Sequence, residues 1–304
     1  GATFSFQRDG LWFDNGQHVH LRCCTAYRAF IDRIGAAHML TMQDRLAIPV
    51  MRPGQKPVQW IRRTNLPAPF HLIRSLATYG HLSPGERLRV GRAVLGLMRL
   101  DLRDGSLDQR TFLDWLRHHG QSDNAVESLW DLIILPTLNL PSSRASLWLA
   151  AMVFKVGLLH DRTAGDVGYT TTTLGRAHGD QGLKALRNAG VEVRLGEGVA
   201  GVSTGQGDDG AVVHSRSGPV HADAVILAVP HAQAASMVPR TANLNGAQLA
   251  ELGSVPIVNL HVIYDRTVME HPFVAGVGTP LQWVFDRTQS AGMSDGQVLA
   301  ISLS

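Results

Sequence analysis

Four side chains that could do chemistry surround a glycine in the turn Asp14-Asn15-Gly16-Gln17-His18. A carboxylate and two amides offer hydrogen-bond acceptors and donors, and an imidazole exchanges protons near neutral pH. Gly16 has no Cβ, so the backbone there can approach a bound group closely. A plainer interpretation is an Asx-turn in which Asn15 caps the next helix, with Asp14 as a turn or capping residue.

One other glycine pattern suggests a nucleotide site. Gly196-Glu-Gly198-Val-Ala-Gly201 has the form G-x-G-x-x-G and follows an apparent strand. The dinucleotide fingerprint also needs a helix directly after the glycines, to hold the pyrophosphate at its N-terminus. The residues that follow, VSTGQGDDG, favour strand and turn. We therefore interpret the match as glycines of a β-turn.

Common catalytic and metal motifs are missing from the sequence. The pairs His18/His20 and His118/His119 lack an accompanying third ligand cluster, so we predict no metal site. The sequence has no G-K-[ST] loop and no H-E-x-x-H. NTPase and metalloprotease functions therefore have no support from motifs.

Composition narrows the class of protein further. The chain has 304 residues, of which 44% are hydrophobic, enough for one large or two moderate domains with cores. Its net charge is +3 and no dense cationic block occurs, which argues against a nucleic-acid partner. The adjacent Cys23 and Cys24 suit neither an ordinary disulfide nor a zinc site, so we expect a reducing, cytoplasmic compartment.

The elements around the turn can be predicted from patterns. TFSF and LWFD indicate a hairpin over the first 20 residues, and the spacing from Thr25 to Ile34 predicts a helix that stops at Gly35. A Pro-rich loop is expected from 49 to 69. Ser83-Pro-Gly-Glu predicts the capped start of a long helix. More helices are expected at TFLDWLRHHG, AVESLWDLIILPTLN and ASLWLAAMVFKVGLL.

The pattern changes after Gly179. A helix at GDQGLKALRNAG, a strand at VEVRL, a hairpin of GVAGVSTG and AVVHSRSG, a buried strand at ADAVILAVP and a helical turn at HAQAASMVP are expected. This alternation predicts an α/β layer on a largely parallel sheet. The last stretches, PIVNLHVIYDRTV, LQWVFDRT and QVLAISLS, predict antiparallel strands.

The helix that starts at Ser83 is rich in arginine. Its cations alternate with Leu, Val and Met; they are Arg87, Arg89, Arg92, Arg99 and Arg103. We favour a partly buried helix with a solvated arginine face. An interfacial helix that rests on a membrane surface is the alternative, so peripheral membrane contact stays open.

The order of these segments resembles a known superfamily. The hairpin, the FDNGQH turn, the helical insertion, GLKALRNAGVEVRLGEGVAGV and ADAVILAVP together resemble the flavin-containing amine oxidase and phytoene desaturase superfamily. Within it, DNGQH with CCTAYRAF, and the stretch from WLRHHGQS to LNLP, look like the hydroxysqualene dehydroxylases, the squalene-associated FAD-dependent desaturases. The resemblance runs through nearly the whole chain.

The resemblance implies an α/β (mixed α+β) fold with FAD as cofactor. An incomplete Rossmann-like FAD-binding domain would be interleaved with a helical and antiparallel-sheet substrate domain. The implied division assigns 1–20 and 179–240 to the FAD domain, and 21–178 and 241–304 to the substrate domain. The family's own G-x-G-x-x-G unit and its Gly-Asp segment would lie outside this chain, so we expect an internal piece of a longer protein that alone binds FAD poorly and is inactive.

The resemblance also implies a reaction and its residues. Reduced flavin would deliver hydride to the allylic carbon of hydroxysqualene as the hydroxyl leaves, giving squalene in hopanoid biosynthesis. The turn would pass beside the isoalloxazine ring, with Asn15, Gly16 and Gln17 at the cofactor. Gln17 or His18 would face the leaving hydroxyl, with His18 as proton donor. The backbone of Val199 would contact the adenine.

Two alternatives remain open from the sequence. A carotenoid-type desaturase, or another flavoenzyme of the amine oxidase family, would use the same scaffold. A non-catalytic isoprenoid-binding module made of the helical part would show an apolar cavity and no flavin effect.

Overall fold

The computed structural model describes residues 3–204, 210–239, 242 and 244–303. The chain forms two compact units. The first contains Gly1–Asn188 and Pro256–Ser304, and the second contains Ala189–Val255. The division into FAD and substrate domains stays a prediction, since the compact units do not report which residues bind cofactor.

The first unit carries most of the secondary structure. Its strands are β1 Ser5–Arg8, β2 Leu11–Asp14, β3 Val19–Leu21, β4 Leu40–Met42, β5 Ala47–Met51, β6 Gln59–Arg62, β7 Val167–Thr170, β11 Val258–Tyr264, β12 Phe273–Gly276, β13 Trp283–Asp286 and β14 Gln297–Leu303. Its α-helices are α1 Thr25–Arg33, α2 Ile73–Thr78, α3 Pro84–Arg99, α4 Phe112–His118, α5 Asp123–Ala125, α6 Asp131–Leu138, α7 Leu147–Phe154, α8 Gln181–Asn188 and α11 Thr288–Ala291. Short 3-10 turns are Ala37–Met39, Phe70–Leu72 and Gly105–Gln109, and π-helical turns are Val126–Trp130, Lys155–Leu159 and Gly175–Asp180.

The second unit is smaller. It holds the strands β8 Val199–Thr204, β9 Ala211–Ser215 and β10 Gly218–Ala222 and the helices α9 His231–Met237 and α10 Gly246–Glu251. The strands form an antiparallel sheet in the order β10-β9-β8. This confirms the predicted hairpin, but it corrects the expectation of a largely parallel sheet in this part of the chain.

The first hairpin forms as expected. β1 and β2 are antiparallel, with Phe6 opposite Phe13. Asp9 and Gly10 both have positive φ, 51° and 81°, which is the backbone of a tight hairpin turn whose twist matches the flanking strands. β2 ends at Asp14, so the hairpin delivers the candidate turn directly.

Two sheets follow in the first unit. β3, β7 and β4 pair antiparallel in that order, and a six-stranded sheet has the order β11-β14-β13-β12-β5-β6. Only β12 and β5 pair in parallel among the described strands of this sheet. The predicted antiparallel strands near the C-terminal end of the sequence are thus confirmed as β11, β13 and β14.

Helix α3 begins at a capping box. Ser83 accepts a hydrogen bond from the Glu86 N–H (3.3 Å), and Glu86 accepts one from the Ser83 N–H (2.7 Å), which is the capping box expected for α3.

The hydrophobic core between the helices and the six-stranded sheet holds large aromatic and aliphatic side chains. Its members include Trp130, Phe112, Phe273, Leu97, Leu116, Ile134 and Leu147.

Three segments differ from the sequence-based expectation. VEVRL forms no strand, and ADAVILAVP forms none after Ala222, the last residue of β10; Ile226 is 91% exposed. A strand requires a partner for its backbone hydrogen bonds, and no described strand pairs with VEVRL or with residues 223–230. The predicted Pro-rich loop instead contains β5 and β6, because burial of Val50 and Ile61 in the core outweighs the weak strand preference of proline.

No helix among the described residues is long and apolar enough to cross a bilayer.

A buried carboxylate fixes the junction between the three-stranded and the six-stranded sheets of the first unit. Asp166 is fully buried and accepts hydrogen bonds from Arg63 Nε (2.6 Å), Arg22 Nε (3.0 Å) and the Leu46 N–H (2.8 Å). Burial alone would raise the pKa of Asp166, but the bonds from Arg63, Leu46 and Arg22 hold it below the usual aspartate range. The carboxylate therefore stabilises the fold in its charged form.

We expect Asp166→Asn to lower the free energy of unfolding by about 3–5 kcal/mol, since the buried Arg63 would lose its counter-ion. Because the folded pKa of Asp166 is lowered, its contribution to stability is present above the unfolded pKa and is lost as pH falls through the folded pKa. Urea unfolding across this pH range measures both. The control is Asp101→Asn, which removes an exposed pair with Arg103; an equal loss in the control would contradict the prediction.

Candidate functional site

Asp14 anchors the start of the candidate turn. Its buried carboxylate accepts hydrogen bonds from Ser5 Oγ (2.5 Å) and the Leu174 N–H (2.8 Å) on one oxygen, and from Arg287 (3.0 Å) on the other. Leu174 is the N-cap of the helical segment Gly175–Asp180. Asp14 therefore is a capping residue, but of a helix 160 residues away in sequence rather than of the next helix.

Arg287 holds the turn from the opposite side. Its guanidinium donates to the carbonyls of Thr170 (2.8 Å) and Thr172 (2.9 Å) as well as to Asp14. Burial lowers the pKa of Arg287, while the charge of Asp14 acts in the opposite direction. Two buried charges with satisfied hydrogen bonds are stable only as a pair, so the position of the turn is fixed by this ion pair.

Asn15 extends the hairpin instead of capping α1. Its backbone N–H donates to the Phe4 carbonyl (3.0 Å), and its side-chain oxygen accepts from the Phe4 N–H (3.0 Å). The N-cap of α1 is Cys24, which has no side-chain cap bond. The Asx-turn interpretation for the next helix is thus wrong. The Asn15 carbonyl accepts from the Asn259 amide (3.3 Å), which links the turn to β11.

The side chains of His18 and Asn259 border the space beside Gly16. A Cβ at this position would lie 3.5 Å from His18 Nε2 and 3.8 Å from Asn259 Nδ2, which are ordinary contacts. Packing within the protein therefore does not require glycine at position 16. A requirement for glycine would have to come from a group bound against the turn, and this role stays a prediction.

Three buried polar atoms around the turn have no hydrogen-bond partner within the described part of the chain. They are Gln17 Nε2, Asn259 Oδ1 and His261 Nε2. Asn259 and His261 lie two residues apart on β11, so they share one face, and the His261 ring lies 5.1 Å from Phe13. A buried polar atom without a partner costs about 1–3 kcal/mol. Such atoms gathered at one turn indicate a surface that fits a polar ligand.

A second group of titratable side chains lies beside the turn. Tyr27 Oη is 2.9 Å from His178 Nε2, and His178 Nδ1 is 3.2 Å from the Leu174 carbonyl. Only a protonated Nδ1 can bond to that carbonyl, so Nε2 accepts the proton of Tyr27 in the neutral ring. The ring of His20 packs 5.0 Å from Tyr27. Helix α1 and the segment Gly175–Asp180 thus place an ordered donor and acceptor pair here.

His18 follows Gln17 and is exposed at the surface. Surrounding protein lowers the pKa of His18 by desolvation, and the nearby His178 lowers it further by charge repulsion, while Asp14 raises it. The neutral imidazole therefore predominates at neutral pH. A proton donated from His18 would come from its minority protonated form.

Val199 begins β8 in the second unit. It lies opposite Ser215 and next to a β-bulge between Val199 and Gly201. The predicted contact of its backbone with adenine stays a prediction. Gly196 has φ 71° and is followed by β8 rather than by a helix, so the interpretation of the G-x-G-x-x-G match as turn glycines is confirmed.

Several residues that lie around the turn were not predicted from the sequence. Asn259 and His261 were detectable as two polar residues that alternate with apolar ones in VNLHVIY. Arg287, Tyr27 and His178 gave no such signal, because nothing local marks them as neighbours of residue 14 or 18. Among the described residues, no group of three or more metal-ligating side chains gathers.

Comparison with known families decides the class. The family model described as flavin containing amine oxidoreductase matches residues 1–299. The chain belongs to this family. Its cofactor is FAD, and the mixed helix and sheet fold agrees with the α/β expectation.

Solved structures share this fold at low identity. Putrescine oxidase bound to putrescine is 17% identical (TM-score 0.68), with 100% of this chain and 67% of that chain covered. A putative protoporphyrinogen oxidase from Exiguobacterium sp. 255-15 is 16% identical (TM-score 0.62; 100% and 68% covered). Cyclohexylamine oxidase from Brevibacterium oxydans IH-35A is 13% identical (TM-score 0.67; 100% and 67% covered). A comparison with curated proteins gives no match.

The polar surface at the turn fits a flavin. A flavin ring edge carries both hydrogen-bond donors and acceptors, and the unpartnered atoms here include an amide donor on Gln17 and an amide acceptor on Asn259. His261 can serve as either. These three side chains, with the backbone at Gly16, would hold the cofactor's polar edge.

We expect removal of His178 to raise the pKa of His18, because its charge repulsion is lost. In the wild type, the NMR titration midpoint of His18 should lie below the usual histidine value of about 6.5. In His178→Gln the midpoint should move upward, and His18→Gln assigns the signal. The exposed His118→Gln serves as control; an unchanged or lower midpoint in His178→Gln would contradict the expected repulsion.

Proposed function

We propose that this flavin-dependent oxidoreductase reduces hydroxysqualene to squalene. The proposal combines the resemblance of the DNGQH-CCTAYRAF and WLRHHGQS-LNLP segments with an apolar cavity in the first unit. When bound, reduced FAD supplies the hydride that replaces the hydroxyl. The overall balance is one hydride and one proton taken up, and one water released.

The cavity is the observation that carries the proposal. It has a volume of about 90 Å³ and lies between α2, α3, the π-helical turn Val126–Trp130, α6 and the α7 region. Its walls are almost entirely hydrocarbon. The lining residues are Ile61, Leu72, Ser75, Leu76, Tyr79, Val90, Val94, Leu129, Trp130, Ile133, Phe154, Leu158 and Leu159.

The few polar groups of this lining are engaged elsewhere. Tyr79 Oη donates to the Ser128 carbonyl (2.8 Å), and Trp130 Nε1 donates to Gln121 (2.9 Å). Ser75 Oγ exchanges two 2.7 Å bonds with the backbone of Arg62. Burial raises the pKa of Tyr79, so the phenol stays protonated. The cavity therefore offers a ligand only apolar contacts.

This composition favours a hydrocarbon over an amine. A protonated amine needs a carboxylate or a closely packed set of aromatic faces to replace its water, and no acidic residue within the described part of the chain lines this cavity. A carotenoid-type substrate would suit the same walls, so a desaturase remains the second candidate. The two differ in redox direction.

β3 leads from the polar turn toward the cavity. This strand runs from Val19 to Leu21, directly after His18. A Cβ on Gly157 would lie 3.4 Å from the Leu21 side chain, and the next residues, Leu158 and Leu159, line the cavity. A long isoprenoid that places one end in the cavity would therefore extend from it toward the residues around His18.

Loss of the hydroxyl requires a proton at the leaving oxygen. His18 is the donor in this proposal, and the Tyr27 and His178 pair lies within electrostatic reach of it. Gln17 would orient the leaving hydroxyl through its amide. The apolar cavity keeps the rest of the substrate out of water and so fixes which carbon lies at the turn.

A direct assay separates the candidates. The complete holoenzyme with bound FAD, reduced without oxygen, is incubated with hydroxysqualene, and squalene is measured by gas chromatography. Oxidised protein is incubated in parallel with phytoene and with putrescine. Squalene formation supports the proposal. Product from phytoene or putrescine alone would replace it with a desaturase or an amine oxidase, and isoprenoid binding with no turnover would favour the non-catalytic module.

We expect Val94→Phe to raise KM for hydroxysqualene about tenfold or more, because the larger side chain fills the cavity that Val94 lines. The matched control is Leu95→Phe, the neighbouring residue on α3, which is 52% exposed. Steady-state kinetics with delipidated protein gives both values. Equal KM values for the two variants would show that the substrate does not use this cavity.

We expect kcat to fall as pH rises through the lowered pKa of His18, since the protonated donor is lost there. His18→Gln should remove this limb of the pH profile and lower kcat by about 10²- to 10⁴-fold. His118→Gln is the control. A profile of unchanged shape in His18→Gln would remove His18 as the proton donor.

A further inference from the structure

We infer that the outer faces of α2 and α3, with the turn Phe70–Leu72, form a docking surface for a bilayer that bears anionic phospholipid headgroups. The inner faces of the same elements line the apolar cavity with Leu72, Leu76, Val90 and Val94. The inference deepens the proposed function, because it gives an apolar substrate a path from the bilayer. Binding to the bilayer itself does not require that function.

The outer face of α3 carries large apolar side chains in water. Leu88 is 62% exposed, Leu95 52% and Met98 39%. Leu88 and Leu95 are seven residues apart, so they lie on one side of the helix. Exposed apolar residues in a row cost free energy unless something covers them.

Arginines lie among these apolar side chains. Arg92 and Arg99 follow Leu88 and Leu95 at four-residue spacing, and Arg89 lies beside Leu88. Arg89, Arg92 and Arg99 are exposed, and none forms an ion pair among the described residues. The acid of the helix, Glu86, is buried and bonded to Ser83 and Ser122. The exposed face is therefore cationic and apolar together.

Arg87 differs from the other cations of α3. Its guanidinium donates to the carbonyls of Tyr79 (3.1 Å), Leu82 (3.0 Å) and Ala77 (2.6 Å). It ties the start of α3 to the end of α2 and is structural. Arg103, beyond the helix, pairs with Asp101. Three arginines therefore remain for an external anion.

The neighbouring segment adds two exposed apolar side chains. Phe70 is 57% exposed and Ile73 is 54% exposed, while Leu72 between them lines the cavity. An apolar face flanked by unpaired cations matches a lipid interface, where acyl chains take the apolar side chains and anionic headgroups take the cations. A protein partner would need a matched acidic surface, whereas a bilayer supplies both chemistries at once.

The test is sedimentation of the FAD-loaded protein with vesicles made of equal parts phosphatidylcholine and phosphatidylglycerol. We expect binding that weakens with salt, because screening acts on the exposed arginines. The variant R89E/R92E/R99E should lose on the order of 100-fold in affinity or more, given the contribution of each cation near an anionic surface. The matched control R33E/R110E/R144E has the same net charge, with exposed arginines changed outside α3, and should keep most of the binding.

A second variant tests the apolar contribution. L88S/L95S should weaken binding while its circular dichroism and thermal unfolding stay as in the wild type, since both positions are exposed. Equal losses in the two charge variants, or no vesicle binding by the wild type, would overturn the inference. Dimers in vesicle-free sedimentation equilibrium that L88S/L95S dissociates would assign the surface to a second copy of the chain instead.

The substrate assay separates this inference from the proposed function. Turnover of hydroxysqualene in detergent by R89E/R92E/R99E at the wild-type rate, with turnover lost only when vesicles deliver the substrate, supports both. Vesicle binding by a wild type that never converts hydroxysqualene leaves the surface standing and removes the proposed function.

Discussion

The buried ion pair between Asp14 and Arg287 is the constraint on which the candidate site depends. It joins the end of the first hairpin to residues 160 and 273 positions away in the sequence. Because Asp14 is buried and the Arg287 side chain is only 11% exposed, separating the two charges costs a large amount of free energy. The turn after Asp14 therefore has one position, and the backbone carries Gln17 and His18 to it.

The same unit holds two environments of opposite character. Around the turn, buried polar atoms of Gln17, Asn259 and His261 lack partners within the described chain. In the cavity, every polar group is already bonded to the protein. A polar cofactor edge fits the first environment and a hydrocarbon fits the second. β3 leads from the first environment to Leu21, which packs beside Gly157 and the cavity residues that follow it.

Local signals predicted the elements whose stability is local. The capping box at Ser83, the hairpin turn at Asp9-Gly10 and the helix that ends before Gly35 appear as expected, because each is decided by residues within one turn. VEVRL and residues 223–230 of ADAVILAVP carry a strand pattern but form no strand among the described residues. A strand depends on a partner that its own residues do not specify.

The sequence by itself determined the family, the cofactor class and the turn at residues 14–18, because these rest on motifs that are contiguous in the chain. Only the tertiary structure decided what surrounds the turn. Asn259 lies 244 residues from Asn15, and His178 lies 151 residues from Tyr27. Such contacts arise from the packing of strands and helices against each other, and neither propensity nor spacing along the chain encodes which distant side chains will meet.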